Sequence, residues 1–556
     1  MSQSRALSNS QLIRAALVVL AGFLASGVLG FVRTGILSAQ FGTGDALDAF
    51  YAAQQIPELI FVLVAGGALG SSFIPVYAKR REEDERESWR LASAVMTLAS
   101  LGAGVLGLLV MLFADPLVQY ILLPASPPDV QTLTANMTRM MMVTPFIFAI
   151  SGLIMGILQS HGLFFLPSVA ISMNSIGIMI GALMIAPVIA SQPYGALDVL
   201  ASANVLSSTR LNTLPVDQVG GLSAYGLAYG AILSAVLHLL VQLPGLRQVK
   251  ARLRILPNLR VAGVLEVLRL MGPRVLGLGV VQINFVVNII LTSDMTSGSY
   301  TALRTAFTLM FFALGIIGQS VGSALFPTLS TLYAENNIAS FKERLAGAMR
   351  SVLFLAFPAT VAFIVMGEPI VSIFERGQWT QESTQGTAWA LAFYATGIAG
   401  FVLLEVLSRA FYALSDTWTP VKIGIGAMIS NIILSVIFIQ MIGDPNNLAR
   451  GPYAGLALAN ASTTLIESLI LWWLMSKRLG GINDRFILRG SLKAIGASLI
   501  MGGVLWGLMR ALPINGVPLA LVGAIVGGAV FFAVSIALGL QEAQAVPMMI
   551  WRRLRR

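Results

Sequence analysis

Cysteine is absent from this chain of 556 residues, and histidine occurs only at His161 and His238. The first absence removes disulfides, thiolate metal sites and cysteine nucleophiles together. The second excludes a histidine cage, so no metal-binding residues are expected. Charge is scarce too, at 11% of residues, and the polar stretches are mostly a handful of residues long, which leaves no room for a sizeable soluble domain. No P-loop, GxSxG, HExxH or paired-carboxylate hydrolase motif is found, so neither ATP hydrolysis nor covalent catalysis is suggested; the chain reads as a non-enzyme without a cofactor.

Apolar sequence is what the chain has: 56% hydrophobic residues and a mean hydropathy of +0.82, in runs long enough to cross a bilayer. The expected fold class is an all-α polytopic membrane protein with one integral membrane body. The net charge of +10 does not point to nucleic acid, because the basic residues sit in short clusters beside apolar runs. The run after Arg14 continues through Phe31 without a persuasive cleavage site and reads as a first span, not a signal peptide.

Hydropathy gives about fourteen helices: 12–40, 46–78, 90–114, 130–159, 163–190, 223–245, 262–294, 299–331, 343–366, 384–413, 418–442, 453–476, 487–511 and 516–539. Alternate loops are basic, including Lys79–Arg86, Arg247–Arg254, Lys342 with Arg344, Lys477 with Arg478, and the terminal RRLRR. The others carry Asp45, Asp115, Asp129, Asp217, Asp294, Glu368 and Asp444. Positive residues stay inside, so both termini are expected in the cytoplasm.

An internal repeat organises the spans. GGALGSSFIP ends at Pro75 and GQSVGSALFP at Pro327, both GxxxGSxxxP, a separation of 327 − 75 = 252 residues. SHGLFFLP and ALSDTWTP end at Pro167 and Pro420, 253 apart, whereas the GLA triplets at Gly226 and Gly455 are 229 apart, so Ser191 to Leu222 reads as an insertion in the first half. Two six-helix lobes, 1–250 and 251–480, followed by two further helices and a basic tail in 481–556, form a transporter architecture.

Charges inside apolar helices are costly and ordinarily face a watery cavity or each other. Arg33, Asp48, Glu58 and Arg304 are such charges, and Gln282, Asn284, Asn288 and Gln319 add uncharged polar groups. Because the second and eighth helices are equivalent in the repeat, these residues are expected to line a central cleft, although Gln282, Asn284 and Asn288 do not share one helix face. An internal Arg33–Asp48 pair that only pins two helices is the alternative. Glu405 and Arg409 read as an i,i+4 pair, Arg274 as a snorkelling residue, and Asn174 and Glu467 as interhelical hydrogen-bonding groups.

Several segments carry a family resemblance: VLGFVRTGILSAQFGTGDALDAFYAAQQIPELI, GGALGSSFIPVYAK, LRLMGPRVLGLGVVQIN, ALFPTLS, FERGQWT and LSRAFYALSDTWTPVKI. Together they resemble the MurJ (MviN) lipid II flippases of the MOP exporter superfamily. The resemblance implies a V-shaped, MATE-like transporter that carries the undecaprenyl-diphosphate-linked peptidoglycan precursor across the cytoplasmic membrane by alternating access. It implies basic cleft residues that receive the diphosphate, among them Arg33 in the LGxxR segment with Asp48 in the DAF segment, and a lipid-tail groove formed with the last two helices. Its implied partners are the lipid-linked precursor, membrane lipids and cell-wall synthesis enzymes. Gly27, Phe61, Val62, Gly66 and Thr308 stand where the family often carries charge. The alternatives are a flippase for another polyprenyl-linked glycan, a cation-coupled multidrug exporter and a non-transporting membrane scaffold. Coupling to an ion gradient or to the membrane potential is left open.

Overall fold

A computed structural model of the chain describes residues 9–64, 67–191 and 215–544. Its helices are α1 (Asn9–Phe41), α2 (Asp45–Val64), α3 (Gly67–Glu83), α4 (Glu85–Leu112), α5 (Pro128–Met141), α6 (Val143–Ser160), α7 (Phe165–Ile180), α8 (Tyr225–Leu240) and α9 (Val264–Thr292). They continue with α10 (Ser299–Leu314), α11 (Ser320–Ala334), α12 (Ile338–Val365), α13 (Gln381–Ala395), α14 (Ile398–Ala413), α15 (Trp418–Met441), α16 (Tyr453–Leu479), α17 (Asp484–Ala511) and α18 (Gly516–Ala537). Each of the fourteen apolar segments falls on one of these helices or on two in succession. Among the described residues, 10 helices are long and apolar enough to cross a membrane, or up to 11 when the α13–α14 pair, bent by 49°, counts as one span. The chain is a multi-pass membrane protein.

Hydropathy does not register breaks in backbone geometry. The eighth apolar segment is divided by a π-turn over Gly315–Gln319, whose last two residues open the GQSVGSALFP motif. That motif packs α11 and its π-turn against α14: a Cβ at Gly318 would stand 3.6 Å from the Val402 backbone, and one at Gly322 would stand 3.0 Å from the Arg409 guanidinium. Small residues four apart thus bring two helices into close contact, as the spacing predicts.

Two compact units make up the chain, Met1–Asp294 and Met295–Arg556. Helix α9, which the repeat assigns to the second half, packs against α2 and α3 within the first unit. Residues 192–214 of the insertion lie outside the described residues. Its end forms a two-stranded hairpin, Gln218–Val219 with Leu222–Ser223, turned by Gly220 and Gly221 at φ 56° and 78°. Two glycines with positive φ suit the tight reversal of a two-residue hairpin loop. Asp217, expected as a solvated loop acid, is instead buried at 3% exposure, and that burial pushes its carboxyl up to about 6.

In the second unit α17 and α18 share a core with α12, including Phe354, Met366, Met501, Leu505, Leu519 and Phe531. The segment after α18 closes over it. Glu542 faces Arg350 of α12 with both oxygens, 2.5 Å from Nε and 3.0 Å from Nη2, at side-chain exposures of 15% and 10%. The guanidinium also lies 4.3 Å from the Phe486 ring centre and fills the space above Gly490, where a Cβ would stand 2.5 Å from Nε. Removing one partner of a buried pair strands the other charge. Glu542→Ala is therefore expected to destabilise the purified protein by about 3–5 kcal/mol, with Arg350→Met/Glu542→Leu recovering most of it. Thermal unfolding in detergent checks this; equal loss in the single and double variants would show that the charge pair is not the cause.

Candidate functional site

The first unit positions three of the intramembrane charges. Helix α1 ends at Phe41, and Gly42 takes φ 64° with its N–H donating to the Ser38 carbonyl at 2.9 Å, a left-handed cap that reverses the chain. Helix α2 follows with Asp45 and Asp48 in its first turn, where the positive end of the helix dipole favours carboxylates. Arg33 on α1 and Asp48 on α2 are half-buried and each is engaged with neighbours. Beside Arg33, Thr34 donates to the Gly30 carbonyl at 3.0 Å, so its hydroxyl is satisfied within its own helix. Glu58, half-buried and likewise engaged, follows Pro57, whose missing N–H interrupts the backbone ladder of α2.

Between Asp48 and Glu58 lies a residue that sequence reasoning passed over. Gln55 is 1% exposed and donates from Nε2 to Oε1 of Gln282 at 2.6 Å, tying α2 to α9. An amide in an apolar helix was the available signal, but its partner is 227 positions away and only packing reveals it. On α9, Gln282 and Asn288 are buried, Ile283 is 44% exposed and Asn284 is half-buried, so the three polar residues occupy different faces.

In the second unit Arg304 is half-buried near the start of α10 and engaged with neighbours, and Thr308 donates to the Arg304 carbonyl at 2.9 Å. Gln319 ends the π-turn; its side chain, like that of Arg274, lies outside the described residues. Glu405 and Arg409 form the expected i,i+4 ion pair on α14. Asn174 accepts from Ser234 at 3.1 Å, as an interhelical group should, but among the described residues no hydrogen bond reaches Glu467.

Both histidines are packed into the helices of the first unit. His161 caps α6, stacks on Trp89 and lies 3.2 Å from the Tyr77 hydroxyl; burial lowers it to about 4, so it is neutral at neutral pH. His238 bonds to Ser151 at 2.5 Å within the α6–α8 packing. What the described side chains offer is transport chemistry: cations, carboxylates and amides placed along apolar helices.

Comparison with known proteins gives the same answer from several directions. The family described as "Lipid II flippase MurJ" matches residues 37–527. The chain is 27% identical to the lipid II flippase MurJ of Burkholderia cenocepacia over 95% of this chain and 98% of that protein. It is 27% identical to the probable lipid II flippase MurJ of Bdellovibrio bacteriovorus over 97% of each. Among solved structures, a lipid II flippase MurJ in an inward closed conformation superposes with a TM-score of 0.73 at 22% identity, covering 97% of this chain and all of that one. A multidrug resistance MATE transporter of the MOP superfamily, in an inward-facing conformation, matches with a TM-score of 0.59 at 16% identity, over 84% of this chain and 99% of that one. The family match spans all but the two ends of the chain and the relatives match nearly end to end, so this protein belongs to the MurJ lipid II flippase family.

Proposed function

We propose that this protein flips lipid II, the undecaprenyl-diphosphate-linked peptidoglycan precursor, across the cytoplasmic membrane by alternating access. The observation that carries the reading is the family match over 37–527 together with relatives aligned along almost their whole length. The working parts are the two repeated lobes, 1–250 and 251–480, and the two helices of 481–556. In the first unit Arg33 is the cation for the diphosphate, with Asp48 orienting it and Glu58 and Asn284 as further polar groups. Gln282 positions α9 through Gln55. In the second unit Arg304, with Gln319, is a cation the substrate meets during passage. A guanidinium suits this task because its planar fork matches phosphate oxygens two at a time. Binding alone moves nothing; the headgroup must interact differently with the two access states.

The test is lipid II translocation in vesicles that contain only this protein. Absence of translocation by folded protein, with transport of another polyprenyl-linked glycan, would move the substrate to that class.

The orientation proposed is N-terminus and C-terminus cytoplasmic, with cell-wall synthesis enzymes as partners at the membrane. Asp217 is buried and makes a poor outside probe, so the exposed Asn446 serves instead, paired with the exposed Glu83. In intact cells a cysteine at Asn446 is expected to react with a membrane-impermeant maleimide and one at Glu83 is not; the reverse labelling would invert the assignment.

A further inference from the structure

Glu467 lies well inside α16, ten residues before Lys477, whose ammonium sits 5.1 Å from the Trp473 ring centre. At about 1.5 Å per residue this places the carboxyl about 15 Å along the helix from that basic end. On the same helix Ile466, Leu469 and Ile470 are exposed, while Thr463, Thr464 and Ser468 are buried. The space for the side chain is provided by Gly424 of α15, where a Cβ would stand 3.3 Å from Glu467 Oε1.

The helices packed against α16 are α10, α13, α14 and α15. Their charged or titratable groups are Tyr300 and Arg304 on α10, Glu382 and Tyr394 on α13, Glu405, Arg409 and Tyr412 on α14, and Lys422 on α15. Lys422 is exposed, and Arg409 is committed to Glu405 and packed over Gly322. Tyr412 is within electrostatic reach of both Glu405 and Glu467. Among the described residues, no hydrogen bond or ion pair holds Glu467. The cluster therefore contains two acids and one guanidinium. An unpaired carboxylate in such surroundings is far more costly than the neutral acid.

We propose that Glu467 is a proton-binding site of the transporter, and that the Glu405–Arg409–Tyr412–Glu467 cluster is where a proton gradient enters its cycle. The proton is taken from water and returned to water, so the carboxyl alternates between acid and carboxylate with no other bond changed. Helix α14 carries Arg409 and follows a 49° bend from α13. A change in that bend moves the guanidinium relative to Glu467 and so decides whether the acid can ionise. The coupling half of this proposal rests on the flippase reading; the proton-binding half does not.

The experiment uses the full chain in vesicles of phosphatidylethanolamine and phosphatidylglycerol, and has two arms. Infrared spectra at neutral pH are expected to show the carbonyl band of a protonated carboxyl that disappears in Glu467→Gln and persists in Glu405→Gln. Superimposable wild-type and Glu467→Gln spectra in that region would overturn the site. In the second arm a pH difference is imposed during lipid II translocation. With one proton per cycle, each pH unit shifts the wild-type equilibrium distribution about tenfold, and Glu467→Gln removes the shift. A Glu467→Gln protein that keeps the wild-type response would overturn the coupling. Wild-type protein that moves no lipid II would count against the flippase reading alone, because the infrared result needs no substrate.

Discussion

Arg33→Ala is expected to lower lipid II translocation by about tenfold to a hundredfold while leaving folded protein in the membrane. The size follows from the interaction lost: a hydrogen bond to a charged group contributes about 1.5–3 kcal/mol, and a diphosphate accepts more than one. Folding should survive because Arg33 is half-buried, and the helix it leaves is fastened by fully packed residues such as Leu37 at 1% and Phe41 at 3% exposure. Asp48→Ala is expected to have a milder effect, since in the proposed function Asp48 only orients the arginine and its carboxylate is favoured by the N-terminus of α2. The informative variant is the exchange Arg33→Asp/Asp48→Arg. If the two residues only pin α1 to α2, the exchanged pair restores translocation. If Arg33 receives the diphosphate, the exchange puts a carboxylate in its place and activity stays lost. Translocation at wild-type rate by the exchanged protein would therefore remove Arg33 from the site.

Among the described residues, hydropathy located every long helix because the length of an apolar run is itself the physical requirement for crossing a bilayer. It located Arg33, Asp48, Glu58 and Arg304 for a related reason, since charge inside such a run is conspicuous whatever its neighbours. The π-turn at Gly315–Gln319 and the 49° bend between α13 and α14 were not legible, because a composition signal carries no backbone angles. Partnerships were legible only within a helix. Glu405 with Arg409 follows from spacing, whereas Gln55 with Gln282 and Arg350 with Glu542 join residues 227 and 192 positions apart. Glu542 lies in what read as a tail, and its burial comes from α12 and α17 meeting the end of the chain. Gly322 stands out in the sequence through the repeated GxxxGSxxxP motif, but that its neighbour is the guanidinium of Arg409 required the fold.

The second unit's cation gives a test of compensation within one helix. Arg304 and Thr308 are four residues apart on α10, both half-buried, and the Thr308 hydroxyl donates to the Arg304 carbonyl at 2.9 Å. Four residues return to nearly the same face after about 6 Å, a distance an arginine side chain can largely span. Arg304→Ala is thus expected to weaken lipid II binding and to lower translocation about tenfold or more, by the same charge-assisted bond that sets the Arg33 effect. Arg304→Ala/Thr308→Arg is expected to recover a substantial part of both, because it returns a guanidinium to that face one turn further along. The hydroxyl lost at position 308 costs little, since it bonds only to its own helix. A purely structural Arg304 predicts a different pattern: the cation at 308 would not replace its contacts, and the double variant would be no better than Arg304→Ala. Lipid II binding and translocation measured on the wild type and both variants at one ionic strength separate the two. An Arg304→Ala protein that binds and flips at the wild-type rate would take Arg304 out of the transport path.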